Sequence, residues 1–216
     1  MINITLMLNN LGFVLMGLPY TIGISLLSFF TGLLMGLLLA LLGRSNRLFV
    51  RYVVSAYISI MRGVPMMVVL FVLYFGLPYY GVELPALLCA YIGFSLVSAA
   101  YISEVFRSSI EAIDKGQWEA ATALGLPYST VVKKIILPQA FRIAIPPLGN
   151  VIIDMVKSSS LAAMITVPDI FQNAKIIGGR EWDYMSMYVL IAFIYWLITF
   201  LIECSQEFLE KKLALT

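Results

Sequence analysis

Long apolar runs broken by few charges leave this chain little choice but a lipid bilayer. A helix needs about 20 predominantly apolar residues to cross the ~30 Å hydrocarbon layer. Five stretches qualify: about Pro19 to Gly43, Tyr52 to Gly76, Pro85 to Phe106, Ile143 to Ile165 and Tyr184 to Ile202. Of the 216 residues 61% are hydrophobic and only 12% charged, where a globular chain carries about a quarter charged. The expected fold is an all-α membrane protein with five transmembrane helices, forming one transmembrane domain over residues 1–216. No Lys or Arg precedes Arg44, and the first apolar run is much longer than a signal-peptide core, so it reads as a retained span.

Positive residues in short loops stay cytoplasmic. Arg44, Arg47 and Arg51 follow the first span; Arg107, Lys115, Lys133, Lys134 and Arg142 follow the third; Lys211 and Lys212 follow the fifth. The opposite side carries only Lys175 and Arg180. This distribution predicts an outside N-terminus and a cytoplasmic C-terminus, and it accounts for the basic residues without any nucleic acid partner. Cys89 and Cys204 fall inside spans, which suggests no disulfide framework. The absence of histidine removes the commonest metal ligand and general base, and no metal site is expected. No glycine-rich phosphate loop with its lysine is visible, so the chain shows no ATP site of its own.

The outside connections, "LPYYGVELP" and about "TVPDIFQNAKIIGGREWD", are too short for domains. No internal repeat of the kind that marks many secondary transporters is visible, which points to symmetry from pairing two chains. Gly32 and Gly36 form a small-xxx-small pair that lets helices approach in lipid, though it is equally ordinary glycine usage. Arg62 would stand ~16 Å up a straight second span, where an unpaired arginine costs at least about 2.5 to 3.5 kcal/mol. Either Phe49 to Ile60 lies along the interface, or Arg62 faces a protein-lined or wet interior. Gly63 and Pro65 loosen the helix there in both cases, which makes Arg62, Gly63 and Pro65 a candidate gate.

The most polar stretch runs over about residues 109–138, between the third and fourth spans. Gln117 to Leu124 reads as a short helix with Trp118, Ala121 and Leu124 or Gly125 along one side. Gly125 is placed as a left-handed cap, and Pro127 prevents continuation. Val131, Val132, Ile135 and Ile136 give a second amphipathic stretch expected to end at Pro138. Small residues beside Glu119 suit a helix that seats in a groove of another protein. A linker helix lying on headgroups is the alternative.

"EAATALGLPYSTVVKKIILP" resembles the EAA motif of permease subunits in binding-protein-dependent ABC importers. Glu119, Ala120, Ala121, Gly125, Ile135, Leu137 and Pro138 match its positions and spacing. The resemblance covers most of the chain and is nearest to the polar amino acid branch. "RGVPMMVVLFVLYFGLP" looks like that branch's Arg-Gly-Thr-Pro segment with Val64 in place of Thr, and "IPPLGN" stands for its Leu-Pro-Pro-Leu-Gly-Asn. "VPDIFQNAKIIGGR" and "MYVLIAFIYW" look particularly like cystine-type permeases. The resemblance implies that the loop is a coupling helix seated on a cytoplasmic ATPase dimer, which binds the ATP and Mg. It also implies a second permease subunit, identical or related, an external solute-binding protein, and residence in the bacterial plasma membrane among lipid. The chain itself would hold no cofactor and perform no hydrolysis.

In the fourth span Asn150, Asp154 and Lys157 or Ser158 recur on one helix face after Pro146 and Pro147, which should interrupt its start. They read in two ways. An Asp154–Lys157 ion pair would merely neutralise both charges, whereas a path lined by Asn150, Asp154, Lys157, Ser158 and Ser160 would offer an anion and a cation to an amino acid zwitterion. The family's Asp after the Lys is Ser158 here, with an acid one turn earlier at Asp154. Ser95, Ser98 and Tyr101 add hydroxyls from the third span, although serines also bond their own helix carbonyls. The rival functions are an ion-coupled secondary transporter of small polar solutes and a non-transporting scaffold.

Overall fold

A computed structural model describes residues 2–214. Four helical segments are long and apolar enough to cross a membrane: α2 (Leu18–Leu42), α5 (Ala86–Glu111), the run Tyr128–Ile165, and α10 (Tyr184–Ala214). The expected second span is two helices, α3 (Leu48–Gly63) and α4 (Met66–Phe71, continued in tighter and wider turns to Tyr80), bent by 102°. It counts as a fifth span only if the bent pair is taken as one.

The bend follows from two consecutive residues, Val64 and Pro65. Proline disfavours helical geometry in the residue before it, and Val64 is extended (φ −89°, ψ 130°). Pro65 has no N–H to return to α3, and its carbonyl instead accepts the first N–H groups of α4 from Val68 and Val69.

The fourth span also departs from expectation. The helical run does not end at Pro138: α7 (Tyr128–Val131) passes through a wide turn (Val132–Ile136) into α8 (Leu137–Ser158). In that turn the Leu137 N–H reaches the Val132 carbonyl, five residues back, so Pro138 enters at the head of a new ladder where its missing N–H costs little. Pro146 and Pro147 lie inside α8 without breaking it.

Two helices lie outside both the expected spans and the polar loop. α1 (Ile4–Leu15) precedes the first span, and α9 (Ile170–Arg180) fills the connection before the last. α1, α9 and α10 pack through Val14, Ile170, Ala174, Ile177, Met187 and Leu190. Asn3 ties the start of α1 to α10, its N–H donating to Ser186 Oγ at 2.8 Å. α6 (Lys115–Ala123) lies at the opposite end, near the C-termini of α2 and α5, where the Arg44 guanidinium sits 5.9 Å above the Trp118 ring.

α2 and α5 form the most extensive helix pair. Lipid tails are as apolar as leucine, so helices in a bilayer associate through close packing more than through the hydrophobic effect. A Cβ on Gly32 would collide with Ser98 Oγ, and one on Gly36 would lie 2.8 Å from Ile102 Cγ2 and 3.0 Å from the Ala99 carbonyl. The small pair is therefore a packing face. Gly36→Leu is expected to destabilise the protein by about 1–3 kcal/mol. Gly23→Leu, whose Cβ meets nothing within 4 Å, should leave the thermal unfolding temperature in detergent unchanged.

Candidate functional site

The α3–α4 bend, α5 and α8 enclose a cleft of about 470 Å³. Arg62, Gly63 and Pro65 line it from the bend, Ser98 and Tyr101 from α5, and Asp154, Lys157 and Ser158 from α8. Residues read separately as gate and path therefore share one cavity. Asp154 and Lys157 are exposed and, among the described residues, neither joins an ion pair, so the pair considered from the sequence does not form.

The other candidates lie elsewhere. Asn150 is exposed but does not line the cleft. The hydroxyl of Ser160 donates to the Lys157 carbonyl at 2.8 Å. Ser95 is buried with its hydroxyl unpaired among the described residues. Ser98 borders the cleft, yet its hydroxyl is within donating distance of the carbonyls of Ser28 (3.2 Å) and Ser95 (3.1 Å), holding α5 to α2.

Arg62 is exposed, yet two partners answer its charge. Its Nη1 lies 3.4 Å from Glu104 Oε2, and its guanidinium sits 5.6 Å above the Tyr101 ring. Sequence reading passed over Glu104. The available signal was its spacing, one turn beyond Tyr101 and three residues before Arg107 on α5.

The polar loop folds back on itself. Asp114 caps α6 by accepting the Gly116 N–H at 2.6 Å. Gly125 takes φ +69°, as its predicted capping role requires; its N–H meets the Thr122 carbonyl at 2.9 Å, and the Leu126 N–H meets the Ala121 carbonyl at 3.2 Å. Ala121 is buried against Ile110, Ile113, Val131, Ile136 and Ala140, with Ile135 and Leu137 half-buried on the same cluster. Glu119, Ala120, Leu124, Gly125 and Pro138 are exposed. The motif thus divides into an inner part that shapes the loop and an outer part that faces away from this chain.

A second polar cluster sits at the opposite end. Asp169 is fully buried and caps α9, its Oδ1 accepting the Gln172 N–H at 2.8 Å. Its Oδ2 lies 3.4 Å from the Tyr195 hydroxyl, while the Ile170 N–H donates to Thr21 Oγ1 at 3.3 Å. Gly17, between α1 and α2, has no room for a Cβ against the Asp169 backbone. The Asp-x-x-Gln spacing in "PDIFQ" is a capping-box pattern that marks this helix start.

Residues 32–215 match the family described as binding-protein-dependent transport system inner membrane component. The chain belongs to this family. It is 53% identical to the probable amino-acid ABC transporter permease protein YckA of Bacillus subtilis (strain 168), over 98% of this chain and 94% of that one. It is 41% identical to the L-cystine transport system permease protein TcyB of the same organism, over 91% and 85%. A crystal structure of an amino acid ABC transporter with histidines superposes with a TM-score of 0.94 at 32% identity, covering 98% of this chain and 99% of that one. This permease is a multi-pass component of the bacterial inner membrane, and ATP hydrolysis belongs to a separate subunit.

Burial pushes the Asp169 carboxyl up from 3.8 to about 6, against the lowering effect of the N–H groups it accepts. A carboxyl raised in the folded state binds its proton more tightly there. Its contribution to stability is therefore complete below 3.8 and is lost as pH rises through about 6. The loss is about 3 kcal/mol at most. Asp169→Asn keeps a capping oxygen and is expected to flatten the pH dependence of thermal unfolding between pH 4 and 7.

Proposed function

We propose that this permease is the membrane-spanning subunit of an ATP-driven importer and forms the translocation path for a polar amino acid, with cystine the leading substrate. One observation carries the reading: α5 and α8 line the charged cleft, and the segment joining them is the loop that bears the EAA pattern. A displacement of that loop has a direct mechanical route to the cleft through two helices.

In this mechanism an external solute-binding protein delivers the amino acid to a pair of permease subunits, this chain with an identical or related one. A cytoplasmic ATPase dimer holds ATP and Mg and seats the loop. Glu119, Ala120 and Gly125 make the outward contact, with Ala121, Ile135, Leu137 and Pro138 shaping the loop behind them. Closing and opening of the ATPase would then bias the cleft between its two accessible states, because only contact that differs between states can shift such an equilibrium. Within the cleft Asp154 attracts the amino group and Lys157 the carboxylate, with Ser158 beside them. The Arg62–Gly63–Pro65 bend serves as the gate. The N-terminus lies outside and the C-terminus in the cytoplasm, by the distribution of Lys and Arg. Cystine is favoured by the cystine-like stretches and by likeness to a relative named for L-cystine transport.

The test is substrate-stimulated ATP hydrolysis and uptake in proteoliposomes, with the permease co-purified with its ATPase and binding protein. Glu119→Lys is expected to uncouple hydrolysis from the loaded binding protein. Asp154→Asn is expected to leave basal hydrolysis intact and cut amino acid uptake about tenfold, the effect of one lost charge contact. Uptake that follows an ion gradient with no ATPase bound would replace this reading with the secondary transporter.

A further inference from the structure

Arg62 lines the cleft, and a guanidinium beside the proposed substrate path attracts whatever anion is nearest. The structure supplies that anion from the far side. Glu104 does not line the cleft; it lines a second cavity of about 420 Å³ toward the basic end, together with Arg51 and Arg107. From there its Oε2 reaches Arg62 Nη1 at 3.4 Å.

Glu104 is itself held in place. Arg107 Nε and Nη2 donate to its two carboxylate oxygens, each at 3.0 Å, and Arg107 Nη1 donates to Glu111 Oε2 at 2.7 Å. Glu104, Arg107 and Glu111 lie on one face of α5, three and four residues apart, so these three charges are tied along a single helix. Glu111 is the last residue of α5, and Ile110 beside it packs into the loop core with Ala121 and Ile136. Among the described residues, one contact in this series crosses between helices, the one from Glu104 to Arg62 on α3.

We propose that Glu104 is a positioning residue for transport: it neutralises Arg62, fixes it at the bend, and leaves Asp154 and Lys157 as the cleft's two free charges. The inference rests on the cleft being the translocation path. In charge terms Arg62 with Glu104 cancels, and Asp154 with Lys157 presents one anion and one cation, which suits a zwitterion. Without Glu104 the cleft gains one uncompensated cation.

The experiment is a double-mutant cycle in the complete transporter in proteoliposomes, with Glu104→Gln, Arg62→Gln, the double variant, and Asp154→Asn in parallel. Maximal uptake rate and KM for the loaded binding protein are both measured. Glu104→Gln is expected to lower maximal uptake about tenfold with KM changed by less than about twofold, because external docking is untouched. The double variant is expected to transport no worse than Arg62→Gln alone, since a residue that acts through Arg62 has nothing to do once Arg62 is gone. Arg107 keeps Glu111 in every variant. If Glu104→Gln fails to assemble, assembly of the double variant supports the proposal by identifying the unpaired cation as the defect, and failure of both overturns it. Multiplicative losses, or a silent Glu104→Gln beside an impaired Arg62→Gln, also overturn the positioning role while leaving the cleft intact. Wild-type uptake in both Arg62→Gln and Asp154→Asn would instead remove the cleft from the path.

Discussion

Close contact between α2 and α5 is the constraint on which the rest of the permease depends. In lipid no hydrophobic gain rewards helices for meeting, so the pair must fit by shape and by hydrogen bonds. Gly32 and Gly36 let α2 come down onto Ser98, Ala99 and Ile102, while the Ser98 hydroxyl donates to the Ser28 carbonyl and the Ser28 hydroxyl to the Tyr91 carbonyl, two bonds between the helices. With α5 fixed, the two positions on it that answer Arg62, Tyr101 and Glu104, are fixed as well. The same helix delivers Ile110 to the loop core at its end. A packing face with no charge on it thus sets the geometry of the charged face opposite.

Much of this was legible in the sequence because it depends on residues near one another in the chain. The first, third and last spans follow from hydropathy, and the Gly125 cap follows from the need for a residue tolerant of positive φ. The shared face of Asp154, Lys157 and Ser158 follows from helical spacing. What could not be read depends on partners distant in the chain. Glu104 and Arg62 are 42 residues apart by their numbers and meet where α3 packs against α5. Asp169 looks like a loop acid until α9 and α10 close over it. Ser98 borders the cleft, as a path residue would, but the bond of its hydroxyl to α2 could not be read from the chain.

The prolines explain why one span breaks and another does not. All of them remove an N–H, yet the consequence depends on what stands before and beside them. Val64 is branched at Cβ and sits directly before Pro65, so it is driven to extended geometry, and no following turn restores the axis of α3. Pro138 follows a wide turn that has already shifted the bonding register, which lets the helix continue. At Pro146 and Pro147 the helix continues beside α10, where Gln206 donates to the Pro146 carbonyl at 3.0 Å. On the proposed function these two outcomes have opposite uses. An unbroken run from the loop to Lys157 transmits a push along its length, and a bend at Gly63 and Pro65 offers a place where that push can change the shape of the cleft.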